Sequence, residues 1–507
     1  MLSRRSALKV GLAAAAGGVF AKSVLAQTHL DDTGLWKARE NFPVPQSGLV
    51  FPDGFRPSIE AVPSPPATPF VTPLFEMPMA EPVPMSAIVA NGGAIDPLRH
   101  QRYNEFLPKK FYIQRLQEFR WQYHPEPPYN QGSWSWGFNG ITPGCTFYTR
   151  YGEPLFVRRI NELPPVGTGH VPFALPSTTI HVHNGHQASE SDGNPADWFN
   201  PGEFWDHHYP SFPAGFDPRE YMNTLWYHDH RLDFTATNVY AGLSGFFLAF
   251  DRQDSGNERD RHRRAFRFPS GKYDVPLILH DVQFDQDGQV VWDFAGSHPE
   301  ENSEGPGGFS PNLPYTTHGM LGDRFTVNRK IQPYFEVERR KYRFRVLNGG
   351  PSRLYRLFLT KQGSDVETFY VISEDGNILP EPIETESVDI WVANRNDIII
   401  DFSKYRAGDK IYLTNRMEMR PDGAGPGGKL LDQGNRLLEF RVVGGRVRDH
   451  SRIPDRMRPL PKIDILTPAQ KLSERSGPTA TEWLDLYIFE SIEEVQQIAT
   501  ESLWSYN

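Results

Sequence analysis

"STTIHVHNGH", residues 177–186, and "TLWYHDH", residues 224–230, share one pattern: a β-branched or aromatic run that ends in His-x-His. Runs of this kind, short and bounded by Gly, Pro and Asn, read as strands. Residues i and i+2 of a strand share a face. His181 and His183 therefore project together, as do His228 and His230, while Asp229 points the other way. Asn184-Gly185 supplies a tight turn directly after the first pair.

Strand signals of the same kind extend in both directions from these two. "FYIQRLQEFRWQYHP" (111–125), "TFYTRYGEPLFVRRINELP" (146–164) and "GLSGFFLAFD" (242–251) complete a set of short, turn-bounded segments that predicts a β-sandwich over residues 85–255. "RQDSGNERDRHRR" (252–264) reads as a linker. A second block of strands runs over 266–445. Within it "YRFRVLN" alternates, so Tyr342, Phe344 and Val346 face a core, and Arg343 and Arg345 face solvent or a neighbouring domain. Residues 27–84 are Pro-rich without periodicity, an extended arm expected to wrap the surface. Residues 446–507 read as a linker and the diverged start of a third block.

Composition fits this reading. Gly 43 and Pro 45 in 507 residues favour many short strands over long helices, and 38% hydrophobic residues suffice for sizeable cores. Cys145 is the only cysteine, which excludes an intrachain disulfide and any metal site built on several thiolates. The N-terminus places Arg4-Arg5 before an apolar run of small residues (Val10 to Ala21) and a Val24-Leu25-Ala26 end. That layout predicts a cleaved export signal of the twin-arginine type over residues 1–26, too short to span a bilayer, and a periplasmic or extracellular protein. Cleavage would remove four positive charges from a chain that already carries −9, so nucleic acid is not an expected partner, and no later stretch predicts a membrane span.

Two His-x-His pairs facing one another would offer four imidazoles to a metal, with copper, zinc, iron and nickel all suited to nitrogen donors. From the residues alone the readings stay open between a multinuclear centre, a single zinc or copper held by these four rings, and an exported copper-holding scaffold without catalysis.

Residues 136–164 ("WGFNGITPGCTFYTRYGEPLFVRRINELP"), 178–199 ("TTIHVHNGHQASESDGNPADWF"), 224–251 and 319–359 resemble, in order, the first two domains of multicopper oxidases, in the branch of the spore-coat laccases and bilirubin oxidases. The resemblance covers about residues 85–445. It implies an all-β fold of tandem cupredoxin-like Greek-key β-sandwiches, two nearly complete and a third largely missing. It also implies copper as cofactor, in a type 1 site and a trinuclear cluster. Dioxygen is then reduced to water with electrons from a small reducing substrate: a phenol, a pigment or a metal ion. By position His181 and His183 become a type 2 and a type 3 ligand, and His228 and His230 two type 3 ligands. Asp192 falls where this branch places an acidic residue that relays protons to the cluster.

The family's remaining ligands lie in a His-Pro-x-His-x-His stretch and a His-Cys-His stretch of its last domain. Here no histidine lies between His318 and His450, the last one, and Cys145 sits in a "TPGCT" turn of the first block, where the family commonly has proline. The family pattern is lost after about Ser476, which reads as a truncated or frame-shifted end, or as a shorter protein, with impaired turnover expected. Smaller expectations concern other residues. His186, His207 and His208 read as surface or packing histidines, and Glu153 and Arg158 as charge-pairing residues at strand ends. Trp134, Trp136 and Trp226 read as core aromatics, and Cys145 as a small buried hydrophobe.

Overall fold

The computed structural model describes residues 63–292, 320–361, 365–420 and 425–459, together with two short strands, Thr28–Leu30 and Trp36–Ala38, that pair antiparallel in a separate unit. The expected export signal and the end of the chain beyond residue 459 lie outside the described residues.

Period-two burial shapes the first sandwich. Its strands are β1 Lys110–Trp121, β2 Ser133–Phe138, β3 Phe147–Arg150, β4 Leu155–Asn161, β5 Ile180–His183, β6 Phe204–Tyr209, β7 Thr224–Asp229 and β8 Ser244–Phe250. One sheet runs β2-β1-β4-β6 and the other β3-β8-β7-β5. Each is antiparallel except for one parallel pair, β1 with β4 and β3 with β8. Leu116, Trp136, Phe138 and Val157 from the first sheet meet Phe147, Val182, Tyr227 and Phe247 from the second in one core.

The second sandwich repeats this construction. Its key strands are β9 Asp274–Phe284, β10 Tyr334–Arg339, β11 Lys341–Asn348, β12 Arg395–Asp401 and β13 Pro426–Arg446. β9, β11 and β12 lie side by side in one sheet, and β10 pairs with β13 in the other. Again each sheet holds a single parallel pair, β9 with β11 and β10 with β13. Its core is built from Leu277, Phe344, Val346, Leu357, Ile398 and Phe440.

Phe344 and Val346 face that core as the alternation predicts, and Arg343 and Arg345 take the neighbouring-domain alternative: both are fully buried. Arg345 pairs with Asp274 through Nε and Nη2 at 2.8 Å each and donates from Nη1 to Thr224 Oγ1 at 2.8 Å, on the first strand residue of β7. Arg343 donates to Asp254 of the linker and to Asp397 of β12. Buried arginines persist only with several acceptors, and these acceptors tie the second sandwich to a histidine-bearing strand.

The Pro-rich arm is extended over its described part and crosses both sandwiches. Leu74 N–H donates to Tyr334 O at 2.7 Å on β10, and Val83 N–H donates to Phe111 O at 2.7 Å on β1. Among the described residues no helix is long and apolar enough to cross a membrane.

Candidate metal centre

The two His-x-His strands are hydrogen-bonded neighbours in one sheet. β5 and β7 pair antiparallel with His181 opposite His228 and His183 opposite Trp226. Both pairs thus lie on a single sheet face, rather than on two opposed edges as the sequence suggests. Ring centroids stand 5.6 Å apart for His181 and His228, 5.5 Å for His183 and His228, and 4.7 Å for His181 and His230.

The loop before β6 and the backbone of β7 fix three of the rings. His181 Nδ1 lies 2.6 Å from Asp192 O, His230 Nδ1 lies 2.8 Å from Gly193 O, and His228 Nδ1 lies 2.6 Å from Asp229 O. A carbonyl only accepts, so each Nδ1 carries the proton and each Nε2 keeps a free lone pair. His183 differs: its Nδ1 faces His228 Nε2 at 3.3 Å. Two nitrogens bound to one ion at about 2.0–2.1 Å each stand about that far apart at a near-tetrahedral angle. His183 and His228 therefore fit a nitrogen-ligated metal as a pair. Among the described residues no three His, Cys, Asp or Glu side chains converge to hold one ion.

Burial keeps His183, His228 and His230 neutral, the form that ligates. Loss of solvent first, then the Arg395 guanidinium and the neighbouring His181 and His230, push His183 down to about 3. His228, fully buried, is held well below its usual value, chiefly by desolvation. Burial lowers His230 as well, against the opposing pull of its bond to the Gly193 carbonyl.

Gly193 is required where it stands. Its φ is +75°, and a Cβ there would sit 2.5 Å from Ile180 C and 2.6 Å from His181 N. The loop is thus pressed directly against β5, which delivers its carbonyls to two imidazoles. Asp192 adjoins His181: its Oδ1 is 3.2 Å from His181 Nδ1 and accepts from Gln187 Nε2 at 2.7 Å, and its side chain is 45% exposed. Asp229 faces the interior, where Thr178 Oγ1 and Arg231 N–H donate to it. Burial pushes its carboxyl up to about 7.

Sequence reasoning missed two parts of the site. Trp226 stacks on His228 at 4.0 Å and on His183 at 5.5 Å, so it is a wall of the histidine face as well as a buried aromatic. The signal was available, since alternation puts Trp226, His228 and His230 on one face. Arg395 of β12 donates from Nη2 to Asn184 Oδ1 at 2.6 Å and from Nε to Thr224 O at 3.1 Å. Nothing local in the sequence marks it.

The other singled-out residues stand apart. His186 is exposed and outside the four-ring group. His207 and His208 are buried packing residues, with His208 Nε2 2.8 Å from Phe106 O. Glu153 pairs with Lys110 and Arg158 with Asp206. Trp136 is buried as expected, whereas Trp134 is half-buried and stacks on His170 at 3.8 Å. Cys145 is half-buried rather than buried, because it lies in a turn between β2 and β3; its carbonyl accepts from Tyr227 OH at 2.8 Å.

A family model described as "Multicopper oxidase" matches residues 122–254. A laccase of Bacillus subtilis is 31% identical over 378 residues, which is 70% of this chain and 66% of that protein. A bilirubin oxidase of Albifimbria verrucaria is 30% identical over 361 residues, 68% of this chain and 53% of the other. The 2F4 variant of the McoA multicopper oxidase from Aquifex aeolicus has a similar fold, with a TM-score of 0.54 at 25% identity over 71% of this chain and 67% of that one. The chain spans about half to two thirds of the length of the relatives it matches.

Proposed function

Because the chain belongs to the multicopper oxidase family, we propose that it is a copper-dependent oxidase in which His181, His183, His228 and His230 ligate copper in a cluster. The observation that carries this reading is the in-register pairing of the two His-x-His strands, with three Nδ1–H groups spent on carbonyls and the 3.3 Å approach of His183 Nδ1 to His228 Nε2. Copper bound there would take electrons from a reducing substrate and pass them to dioxygen. Phenols, bilirubin-like pigments and metal ions are the proposed reductants.

The chain's own residues set the conditions for that chemistry. Carbonyl bonds from the Asp192–Gly193 loop hold His181 and His230 in the ligating tautomer. Trp226 covers one side of the face and limits ring rotation. Asp192, beside His181 and open to solvent, is the proposed proton relay. The Arg4-Arg5 signal layout supports export to the periplasm or the extracellular space.

Copper titration followed by metal analysis and dioxygen-uptake measurement tests the reading. The expected result is uptake of more than one copper per chain, lost in His181→Ala and His228→Ala. Absence of copper binding by the unaltered chain overturns the proposal. Copper binding without dioxygen consumption leaves a copper-holding protein instead.

A further inference from the structure

The linker between the sandwiches forms a basic cleft of about 470 Å³ at the surface of an otherwise acidic chain. Arg259, Arg261, Arg263, Arg267 and Arg452 line it, with His262 and His450, against a single carboxylate, Asp260. That carboxylate accepts from the His262 backbone N–H at 2.8 Å. Among the described residues none of the five arginines is ion-paired to an acidic side chain. Like charges gathered this closely repel one another, and the arrangement is stable only with solvent ions or a bound anion to offset it.

The floor of the cleft is fixed. Two segments far apart in sequence hold each other through reciprocal arginine bonds. Arg267 Nη2 donates to His450 O at 2.6 Å, and Arg452 Nη2 donates to Ala265 O at 2.5 Å. Arg267 Nε donates to Glu258 O at 2.9 Å, Arg452 Nε to Phe266 O at 3.2 Å, and Arg452 N–H to Arg267 O at 3.0 Å. Phe266, Phe268 and Met457 pack beneath them against Ile372 and Ile399. Both guanidiniums are thus positioned by backbone, and neither Nη1 donates to a described residue. Arg259, Arg261 and Arg263 are exposed around this floor. Loss of solvent first, then the nearby Arg259 and Arg448, lower the His450 pKa.

We propose that this cleft binds a multivalent phosphate-type oxyanion, held bidentately by Arg267 and Arg452 and enclosed by Arg259, Arg261 and Arg263. Guanidinium forks match tetrahedral oxyanions, and pre-positioned ones lose less freedom on binding. A compact diphosphate fits the volume and can engage several arginines at once. The proposal is independent of any copper chemistry at the histidines.

The source of the phosphate separates two arms of one experiment. Calorimetric titration of the whole chain in chloride buffer with sodium pyrophosphate is the first. Co-sedimentation with phosphatidic acid vesicles, whose headgroup is a phosphomonoester, against phosphatidylcholine vesicles, is the second. Saturable pyrophosphate binding that weakens about tenfold or more in the Arg261→Glu/Arg263→Glu chain, and weakens with added salt, is expected. If binding occurs to phosphatidic acid vesicles and is lost in the same variant, the phosphate is a lipid headgroup. Arg261 and Arg263 are exposed, and an unchanged melting transition verifies that the variant folds. Binding in neither arm, or binding indifferent to the double substitution, overturns the proposal.

Discussion

Arg395 Nη2 and Asn184 Oδ1 meet at 2.6 Å across the boundary between the two sandwiches, one residue beyond His183. Asn184 adopts a left-handed φ of 61° at the turn that ends β5. The guanidinium side chain is 1% exposed, and its other bonds go to Thr224 O, Ala393 O and Asp375. Thr224 begins β7, so one arginine of the second sandwich holds the end of one histidine strand and the start of the other.

Replacing Arg395 with Met should therefore act on the histidines although it touches none of them as a ligand. Removing one partner of a buried charge group costs about 3–5 kcal/mol, because Asp375 and the freed carbonyls lose their donor. A lower melting temperature is expected together with weaker copper binding, and Arg395→Lys should restore only part of each. Equal copper affinity in Arg395→Met and the unaltered chain would show that the tie does not position the site.

Gly193→Ala should disturb His181 and His230 together. Its new Cβ would lie 2.5 Å from Ile180 C, so the loop must retreat and carry the Asp192 and Gly193 carbonyls away from both rings. Left-handed strain adds about 1–3 kcal/mol. Denaturant unfolding measures the stability loss. Imidazole NMR measures the tautomers, which should become mixed at these two rings and stay fixed at His228.

Trp226→Ala removes a buried indole that stacks on His228 at 4.0 Å. The cavity should cost about 3–5 kcal/mol. Copper should still bind with a broader electron paramagnetic resonance spectrum, as His228 and His183 gain freedom. An unchanged spectrum would assign Trp226 to packing alone.

Copper removal should lower thermal stability in proportion to occupancy. A ligand present at 100 times its dissociation constant stabilises the folded state by about 2.7 kcal/mol. Melting curves of the copper-loaded chain before and after dialysis against a chelator should differ, and the difference should vanish in His228→Ala. A shift that persists in that variant would place the stabilising copper elsewhere.

Acid should weaken the attachment of residues 447–459 to the second sandwich. Burial raises Asp449, but hydrogen bonds from Lys341 and Ser451 outweigh it and hold the carboxyl at about 2, below its ordinary 3.8. The depressed value means the unfolded chain binds this proton more readily. The stabilisation, on the order of 2 kcal/mol, is complete above pH 3.8 and fades as pH falls towards 2. Acid titration of Asp449→Asn against the unaltered chain should show the two stabilities converging across that window.

The strands and the four histidines were legible because alternation is local: Tyr227 and Asp229 turn inward while His228 turns outward, whatever lies further along the chain. Alternation also allowed two destinations for Arg343 and Arg345, and the carboxylates of Asp254, Asp274 and Asp397 decided for burial. What alternation does not encode is which strands become neighbours. His181 opposite His228 depends on a pairing across the intervening loop and β6, and the Asn184–Arg395 contact joins residues 211 positions apart. The floor of the arginine cleft has the same origin, since Arg267 meets His450 across 183 positions. In sequence that segment reads as a charged linker.

The adjacency of β5 and β7 also determines how the histidine face can change. Its spacing is a property of the sheet ladder, so side-chain substitutions around it alter ring tilt but leave the distance between the two strands untouched. A slip of one residue between β5 and β7 would turn His181 and His183 into the core and bring Ile180 and Val182 out, at a prohibitive cost in buried apolar surface. Adaptation of this face to another metal or reductant must therefore come through the residues that meet its open side, with the ladder itself as an invariant gauge.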